Sequence, residues 1–263
     1  MKYKKNLGWV SCIWILCLLL IGCQNKTRNV EPLSLLVSAP ISYQKVLLEL
    51  GKIYQQENPN FNLTYNFGYT SLLKEQVEKS LPVDILISID PQTLKELESL
   101  NFTIPGTRRT LPLKNYLVLI IPQSIKSRIS HFEDLTDPQV KKVALGSDRL
   151  FSGNQTKKIL TYLGIYDRVK SKAIFAGENF SQVIRVVETK QADAGITYLT
   201  EAKLSNQVKI VAIAPEEASS DITYSAVVIK GCKNVPKAEE FIEFLASKKA
   251  KEIANKYGFT VIK

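Results

Sequence analysis

The sequence predicts an α/β fold built as two lobes, and three observations support this prediction. Short apolar runs typical of strands alternate with segments whose apolar residues recur at helical spacing. The number of predicted strands exceeds what one compact sheet needs. Of the 263 residues, about 240 remain after an expected export leader, which is enough for one large domain or two modest lobes.

The first part of the chain shows three strand patterns, each followed by a helical pattern. The predicted strands are residues 33–37, 63–67 and 85–88, and the predicted helices are 42–57, 70–80 and 91 to about 100. Asp90 before Pro91 is typical of an N-cap followed by proline at the first helical position. Residues 101–112 lack periodicity and contain Pro105-Gly106, so we expect a loop there.

The rest of the chain continues the alternation. Strands are predicted at residues 116–121, 142–145, 173–175, 194–198, 208–213 and 224–229. Helices are predicted at 152–163 and 180–190, and a helix pair at 236–257 closes the sequence. Strands and helices of these lengths favour sheets that are covered by helices on both faces.

The N-terminus has the pattern of an export signal. An apolar stretch at 10–21 follows the basic residues Lys2, Lys4 and Lys5. The run Leu20-Ile21-Gly22-Cys23 closes this stretch. This ending resembles a bacterial lipoprotein box, which implies cleavage of residues 1–22, lipid attachment to Cys23 and a polar tether over 23–32. We therefore expect an exported protein, in the periplasm or on the outer face of the cell membrane. The alternative is an uncleaved N-terminal anchor helix with an incidental cysteine.

Composition excludes several classes of function. The net charge is +10, but the lysines are scattered without an Arg-rich block, which argues against nucleic-acid binding. Beyond Cys23 only Cys232 remains, so we expect no internal disulfide and no cysteine metal cluster. His131 is the single histidine, and neither a Gly-x-Ser-x-Gly elbow nor a P-loop occurs. We therefore expect no metal site, no cofactor and no enzyme.

Four predicted strand ends are followed by small or hydroxyl residues that open a helix. They lie at residues 38–42, 68–71, 146–153 and 177–180. Ligands of open α/β sheets gather beyond the carboxyl ends of strands, where helix N-termini offer unpaired N–H donors to anions. The alternative is that these serines and threonines are ordinary N-caps of their own helices.

Several segments then match a known family in order and spacing. They are Tyr65-Asn66-Phe67-Gly68, the runs at 82–88 and 116–122, Glu178-Asn179-Phe180, the run at 192–198 and Lys256-Tyr257-Gly258-Phe259. Together they resemble the periplasmic molybdate-binding proteins that serve ABC importers, over residues 33–263. The resemblance implies a type II periplasmic-binding-protein fold with a hinge. Lobe 1 would be 33–112 and 225–263, and lobe 2 would be 113–224, with hinge strands near 113–121 and 224–229.

The resemblance also implies a set of ligand-binding residues. These are Ser42, Thr70, Ser152, Phe180 and Tyr198. Thr70 stands where the family has a serine, and Tyr198 matches outright as a phenol donor. Ser152 replaces an alanine of the family and Phe180 replaces a valine. In the family, both of these positions contribute a backbone N–H group. The last two departures leave the size of the pocket, and hence the choice of anion, open.

The chemistry of such a site is simple. A tetrahedral dianion offers only acceptors, so a pocket of uncharged donors without carboxylates would accept it and reject protonated relatives. Five charge-assisted hydrogen bonds at about 1.5–3 kcal/mol each would give roughly 10 kcal/mol before the costs of closure, and micromolar binding requires roughly 8 kcal/mol. We expect a monomeric, membrane-tethered protein that passes molybdate or tungstate to an ABC permease. Sulfate and phosphate are not excluded, and an exported enzyme for an anionic substrate or an anion sensor are the alternatives.

Overall fold

A computed structural model describes residues 33–148, 151–176, 180–219 and 222–262 of the chain. Residues 33–263 form one compact unit. The predicted leader, the tether and Cys23 lie outside the described residues. Within the described ranges, no helix combines the length and the apolar character that crossing a bilayer requires.

The first sheet has six strands, and they come from both ends of the described chain. They are β1 (Leu33–Pro40), β2 (Phe61–Gly68), β3 (Ile85–Ser88), β4 (Arg109–Lys114), β10 (Thr223–Val228) and β11 (Thr260–Val261). The order across the sheet is β11-β4-β10-β3-β1-β2. Strand β1 runs parallel to both β2 and β3, so the carboxyl ends of these three strands meet at one edge. In this register Pro40 lies beside Gly68.

The second sheet has five strands from the middle of the chain. They are β5 (Leu117–Pro122), β6 (Val143–Leu145), β7 (Ala173–Phe175), β8 (Ala194–Tyr198) and β9 (Val208–Ile213), in the order β7-β6-β8-β5-β9. Strand β6 is parallel to β7 and β8, whereas β5 is antiparallel to β8 and β9. Every residue of β5 is buried, as its uninterrupted apolar sequence predicts.

Ten α-helices in the described residues pack around these sheets. They are α1 (Gln44–Glu57), α2 (Thr70–Glu78), α3 (Pro91–Ser99), α4 (Phe151–Tyr162), α5 (Tyr166–Lys170), α6 (Phe180–Glu188), α7 (Leu199–Ala202), α8 (Glu216–Ser219), α9 (Val235–Leu245) and α10 (Lys248–Lys256). Two 3₁₀ turns, Ile41–Tyr43 and Phe132–Thr136, complete the secondary structure. The mixed α/β fold with two sheets is the fold class that the sequence predicts.

Asp90 caps α3, as the sequence predicts. Its carboxylate accepts hydrogen bonds from the Gln92 N–H and from the Thr93 hydroxyl, both at 3.0 Å. The expected loop over 101–112 is wrong in its last part, because β4 begins at Arg109. Pro112 obscures this strand in the sequence, since proline is rare inside paired strands.

Two connections carry the chain between the sheets. Asn115 and Tyr116 join the end of β4 to the start of β5, and the segment that contains α8 leads from β9 back to β10. The proposed lobe boundaries lie close to these two connections and stay a prediction. Tyr224 of β10 packs against Tyr43 and Phe259 in an aromatic cluster, with ring centroids 5.3–5.7 Å apart.

Candidate functional site

A cavity of about 760 Å³ opens at the carboxyl edges of both sheets. Its walls come from the segments after β1, β2 and β3 of the first sheet and from α4, α6 and the segment after β8 near the second sheet. Four of the predicted ligand residues line it: Ser42, Thr70, Ser152 and Tyr198. Three of the four strand ends that the sequence indicates, at 38–42, 68–71 and 146–153, therefore face a common space, while residues 177–179 lie outside the described part of the chain.

Thr70 is the first residue of α2, and its side chain is buried at 7% exposure. Its Oγ1 atom has no hydrogen-bond partner. Tyr69, the N-cap of α2, makes no side-chain cap, so the first-turn N–H groups are not satisfied by a capping side chain. The N-cap alternative therefore does not describe Thr70, whose hydroxyl is an unused buried donor on the cavity wall.

Ser42 lies in the 3₁₀ turn that leads into α1. Its hydroxyl is 2.8 Å from the hydroxyl of Tyr224, which is fully buried in the first sheet. Neither the turn nor α1 begins with a side-chain cap. The Ser42 hydroxyl is thus engaged with a strand of the sheet rather than with its own helix.

Ser152 is held at the start of α4 by a close backbone contact. A Cβ atom on the next residue, Gly153, would lie 1.9 Å from the carbonyl oxygen of Ser147 and 2.8 Å from the Cα of Asp148. Only glycine allows the segment after β6 to approach the helix so closely. This contact sets the position of Ser152 on the cavity wall.

Tyr198 ends β8 and is the N-cap residue of α7, where its side chain does not cap the helix. The side chain is 5% exposed. Burial raises the pKa of Tyr198 well above its usual value, and the nearby Tyr224, Glu201 and Asp90 add to the increase. The phenol therefore keeps its proton at physiological pH and can donate a hydrogen bond.

Phe180 is the first residue of α6, which agrees with the predicted helix start. Its side chain lies outside the described part of the structure, as do Glu178 and Asn179. The backbone role that the resemblance implies for Phe180 stays a prediction.

The cavity differs from the prediction in one chemical respect, because carboxylates line it. Asp90 is satisfied as a helix cap, and Glu96 accepts a hydrogen bond from Lys74 at 2.6 Å. Glu201 is different. Its Oε2 atom is buried without a hydrogen-bond partner, and burial raises the pKa of Glu201 to about 7. The wall thus contains one carboxyl group whose charge changes near neutral pH.

Sequence reasoning missed three residues around the site: Asn115, Glu201 and Tyr224. Asn115 is fully buried between β4 and β5, and its amide contacts both Thr200 and Tyr224. A polar residue between two apolar strands was the available signal for Asn115. Glu201 stands three residues after Tyr198, in the first turn of α7, and that position alone indicates only ordinary helix stabilisation.

The chain matches a known protein family over most of its length. Residues 35–260 match the family described as bacterial extracellular solute-binding protein. The match covers both sheets and the cavity between them. It thus includes all five predicted ligand residues.

Individual proteins agree with the family match. YvgL of Bacillus subtilis, which carries the provisional name of an ABC transporter substrate-binding lipoprotein, is 32% identical over 247 residues, covering 92% of this chain and 94% of that protein. The molybdate-binding protein ModA of Haemophilus influenzae is 30% identical over 228 residues, with coverage of 85% and 89%. A solved substrate-binding domain of a provisionally assigned molybdenum ABC transporter from Clostridium difficile has a TM-score of 0.75 and 31% identity, covering 88% of this chain and 100% of that domain.

Proposed function

The chain belongs to the bacterial extracellular solute-binding protein family, as a relative of the ModA proteins of ABC transporters, and on this premise we propose that its ligand is a tetrahedral oxyanion. Molybdate or tungstate is the favoured ion. In this proposal the protein captures the ion outside the cytoplasm and delivers it to the permease of an ABC importer. It binds the ion without turning it over.

One observation carries the proposal. Four residues predicted as ligands, three through a hydroxyl and Ser152 through its backbone N–H, line the same cavity beside both sheets. Hydroxyl groups and first-turn N–H groups are uncharged donors, and a fully ionised oxyanion supplies only acceptors. The unpartnered hydroxyl of Thr70 supports the proposal further, because a buried donor without a partner is costly unless a ligand satisfies it.

The proposed ligand set has five members: Ser42, Thr70, Ser152, Phe180 and Tyr198. Hydroxyls of Ser42, Thr70 and Tyr198 would donate to the oxyanion, and the backbone N–H groups of Ser152 and Phe180 would complete its shell. Five donors at about 1.5–3 kcal/mol each supply roughly 10 kcal/mol before the cost of closing the site, compared with about 8 kcal/mol for micromolar affinity.

The cellular setting is part of the same proposal. We propose that Cys23 carries a lipid anchor after cleavage of residues 1–22, which agrees with the name of the YvgL relative as a lipoprotein. The tether over 23–32 would then hold a monomeric binding protein at the outer face of the membrane, near its permease partner. Mass spectrometry of the membrane-associated protein tests the anchor, and an unmodified Cys23 would refute it.

Thermal unfolding of the purified protein with molybdate, tungstate, sulfate and phosphate tests the choice of ligand. A ligand that binds only the folded state raises the unfolding free energy by about 2.7 kcal/mol at a hundredfold excess over Kd, so Tm must rise with ligand concentration. We expect the largest rise with molybdate or tungstate. No rise with any of the four anions would refute oxyanion binding, and a dominant rise with sulfate or phosphate would refute the assignment to molybdate.

A further inference from the structure

We propose that Asn115 sets the direction of a hydrogen-bond relay, so that the hydroxyls of Ser42 and Thr200 are oriented to donate into the cavity. This inference rests on the proposed oxyanion function, and it assigns the cause of selectivity for a fully ionised anion. Asn115 and Tyr224 do not line the cavity. Both are therefore positioning residues.

The orientation of the Asn115 amide follows from a backbone contact. The amide oxygen accepts a hydrogen bond from the N–H of Tyr116 at 2.9 Å. A backbone N–H can only donate, so the side-chain atom on that side must be the oxygen. The NH₂ group therefore points the other way. It lies 2.9 Å from the Thr200 hydroxyl and 3.4 Å from the Tyr224 hydroxyl.

The amide orientation determines the direction of the next links. An amide NH₂ only donates, so Thr200 and Tyr224 must accept from it through their oxygen atoms. Each hydroxyl then has its single hydrogen left to donate. The ring of Tyr224 is fully buried, and Ser42 Oγ lies 2.8 Å from its hydroxyl, so Tyr224 donates to Ser42. With its oxygen occupied, Ser42 has its own hydrogen free for the cavity that it lines.

The Thr200 hydroxyl is also oriented as a donor, here through a single hydrogen bond from Asn115. Its oxygen accepts directly from Asn115, its side chain is 3% exposed, and it lines the cavity. Its hydrogen is thus free to point into the cavity as well. One amide therefore turns two hydroxyls into donors, one beside the first sheet and one beside the second. A ligand that carries its own proton would have to donate to an oxygen that already accepts a hydrogen bond and whose own hydrogen points at the ligand, which disfavours the protonated ligand.

The position of Asn115 explains how one side chain reaches both sheets. It lies in the two-residue connection between β4 of the first sheet and β5 of the second. Tyr224 lies in β10, directly after the return connection. The relay therefore joins the two connections between the sheets. Its direction depends on Asn115, which does not itself line the cavity.

Two substitutions test the relay. Asn115→Asp keeps the acceptor for the Tyr116 N–H but replaces the NH₂ donor by an acceptor, which reverses the direction of both links. Tyr224→Phe removes both hydrogen bonds of the Tyr224 hydroxyl, to Asn115 and to Ser42, and leaves the link from Asn115 to Thr200 in place. The Ser42 hydroxyl can then rotate and accept. Tyr43→Phe is the matched control, because Tyr43 is a fully buried tyrosine of the same aromatic cluster whose hydroxyl has no partner.

The readout is the ratio of affinities for molybdate and for monohydrogen phosphate, measured by titration calorimetry at one mildly alkaline pH. Both ions are dianions, but only the phosphate carries a proton. We expect Tyr224→Phe to lower molybdate affinity about tenfold, and Asn115→Asp to lower it further, with phosphate losing less in each case. Tyr43→Phe should leave both affinities unchanged. The negative charge that Asn115→Asp introduces repels both dianions, so the ratio still reports the direction of the relay.

The outcomes separate the two proposals. A wild-type protein that binds neither anion refutes the oxyanion function, and the relay with it. A wild type that binds molybdate while Tyr224→Phe keeps the same affinity ratio refutes the relay alone. An equal loss for both anions in the variants also refutes it, because that result indicates a purely structural role. If Asn115→Asp does not fold, Tyr224→Phe decides the question, since it removes a single oxygen atom.

Discussion

Thr70 and Thr197 are buried threonines whose hydroxyls have no hydrogen-bond partner in the described part of the chain, and of the two only Thr70 lines the cavity. Thr107, by comparison, donates to the Ile104 carbonyl at 2.7 Å and accepts from the Val228 N–H at 3.2 Å. The side chains of Thr70 and Thr107 are both buried, at 7% and 3% exposure. The Thr107 hydroxyl therefore stabilises the fold, whereas the Thr70 hydroxyl is available to a ligand.

Replacement of Thr70 by valine should therefore separate binding from stability. Valine has nearly the same shape and removes an unsatisfied hydroxyl, so we expect the free energy of unfolding to be unchanged or slightly higher. Oxyanion affinity should fall about tenfold or more, because one donor is lost. Calorimetric titration and chemical denaturation measure the two quantities.

Thr107→Val is the control for this experiment. It should lower the free energy of unfolding by about 1–3 kcal/mol, since it leaves a buried N–H without its acceptor, and it should leave anion affinity intact. Undiminished oxyanion binding by the Thr70→Val variant would remove Thr70 from the ligand set.

The raised pKa of Glu201 leads us to predict that both stability and anion binding depend on pH. Burial raises the pKa of Glu201 from 4.5 to about 7 in the folded protein, so the folded state binds the proton more tightly than the unfolded state. The free energy of unfolding should then decrease as the pH rises from about 4.5 to about 7, by about 3 kcal/mol in total. The neighbouring phenols of Tyr198 and Tyr224 stay neutral in this range, because burial raises the pKa of each.

The same ionisation places a negative charge on the cavity wall. Oxyanion affinity should therefore fall as the pH rises through about 7, and Glu201→Gln should remove this dependence. The exposed Glu57→Gln is the control and should behave as wild type. Equal pH profiles for wild type and Glu201→Gln, in titration calorimetry, would show that Glu201 does not face the bound anion.

At the residue scale, the sequence predicted hydroxyl positions better than it predicted charge. Ser42, Thr70, Ser152 and Tyr198 directly follow strands or open helices, and strand ends of one sheet meet by geometry. Glu201 was not predicted in the wall because its burial depends on how α7 packs, which local spacing does not encode. The relay through Asn115 joins residues that are far apart in sequence, so no local pattern could reveal it.

At the element scale, strand β4 shows how a local signal can mislead. Leu111 pairs with Tyr224 and Lys114 with Thr223, so Pro112 and Leu113 form an extra pair of residues in β4. This irregularity lets a proline occupy a strand between two others without interrupting a regular ladder. Leu113 still pairs with Val261 of β11. Strands such as β3 and β8, which have uninterrupted apolar patterns, were predicted with the bounds that the structure shows.

The start of α4 yields a prediction at the same scale. Gly153→Ala would place a Cβ atom 1.9 Å from the Ser147 carbonyl oxygen, so the segment after β6 must move and Ser152 with it. We expect a loss of about 1–3 kcal/mol in stability together with weaker anion binding. Denaturation and calorimetric titration of the variant measure both effects.

Gly51→Ala is a matched control for the change at α4. A Cβ atom there would meet the hydroxyl of Tyr65 at 1.7 Å, so this helical glycine is crowded as well, but it does not line the cavity. The control should lose stability and keep its affinity. If Gly153→Ala also kept full affinity, the close contact would serve the fold and not the site.

At the scale of the whole molecule, the cavity is larger than its proposed ligand. The cavity measures about 760 Å³, and a tetrahedral oxyanion fills only a small part of it. Donors from both sides can surround so small an ion only if the walls approach each other. We therefore propose that the two predicted lobes close over the anion about the connections at 115–116 and 214–219.

This closure predicts a specific pattern of hydrogen exchange. Saturating molybdate should slow amide exchange in the helix starts on both sides of the cavity, at residues 41–43 and 68–72 near the first sheet and at 151–154 and 198–201 near the second. Segments away from the cavity, such as the 3₁₀ turn Phe132–Thr136 and helix α9, should exchange at unchanged rates. The reason is that N–H groups without side-chain caps become protected once they donate to the anion and lose contact with water. Protection at one sheet only would mean that the ion binds to a single wall and that the lobes do not close around it.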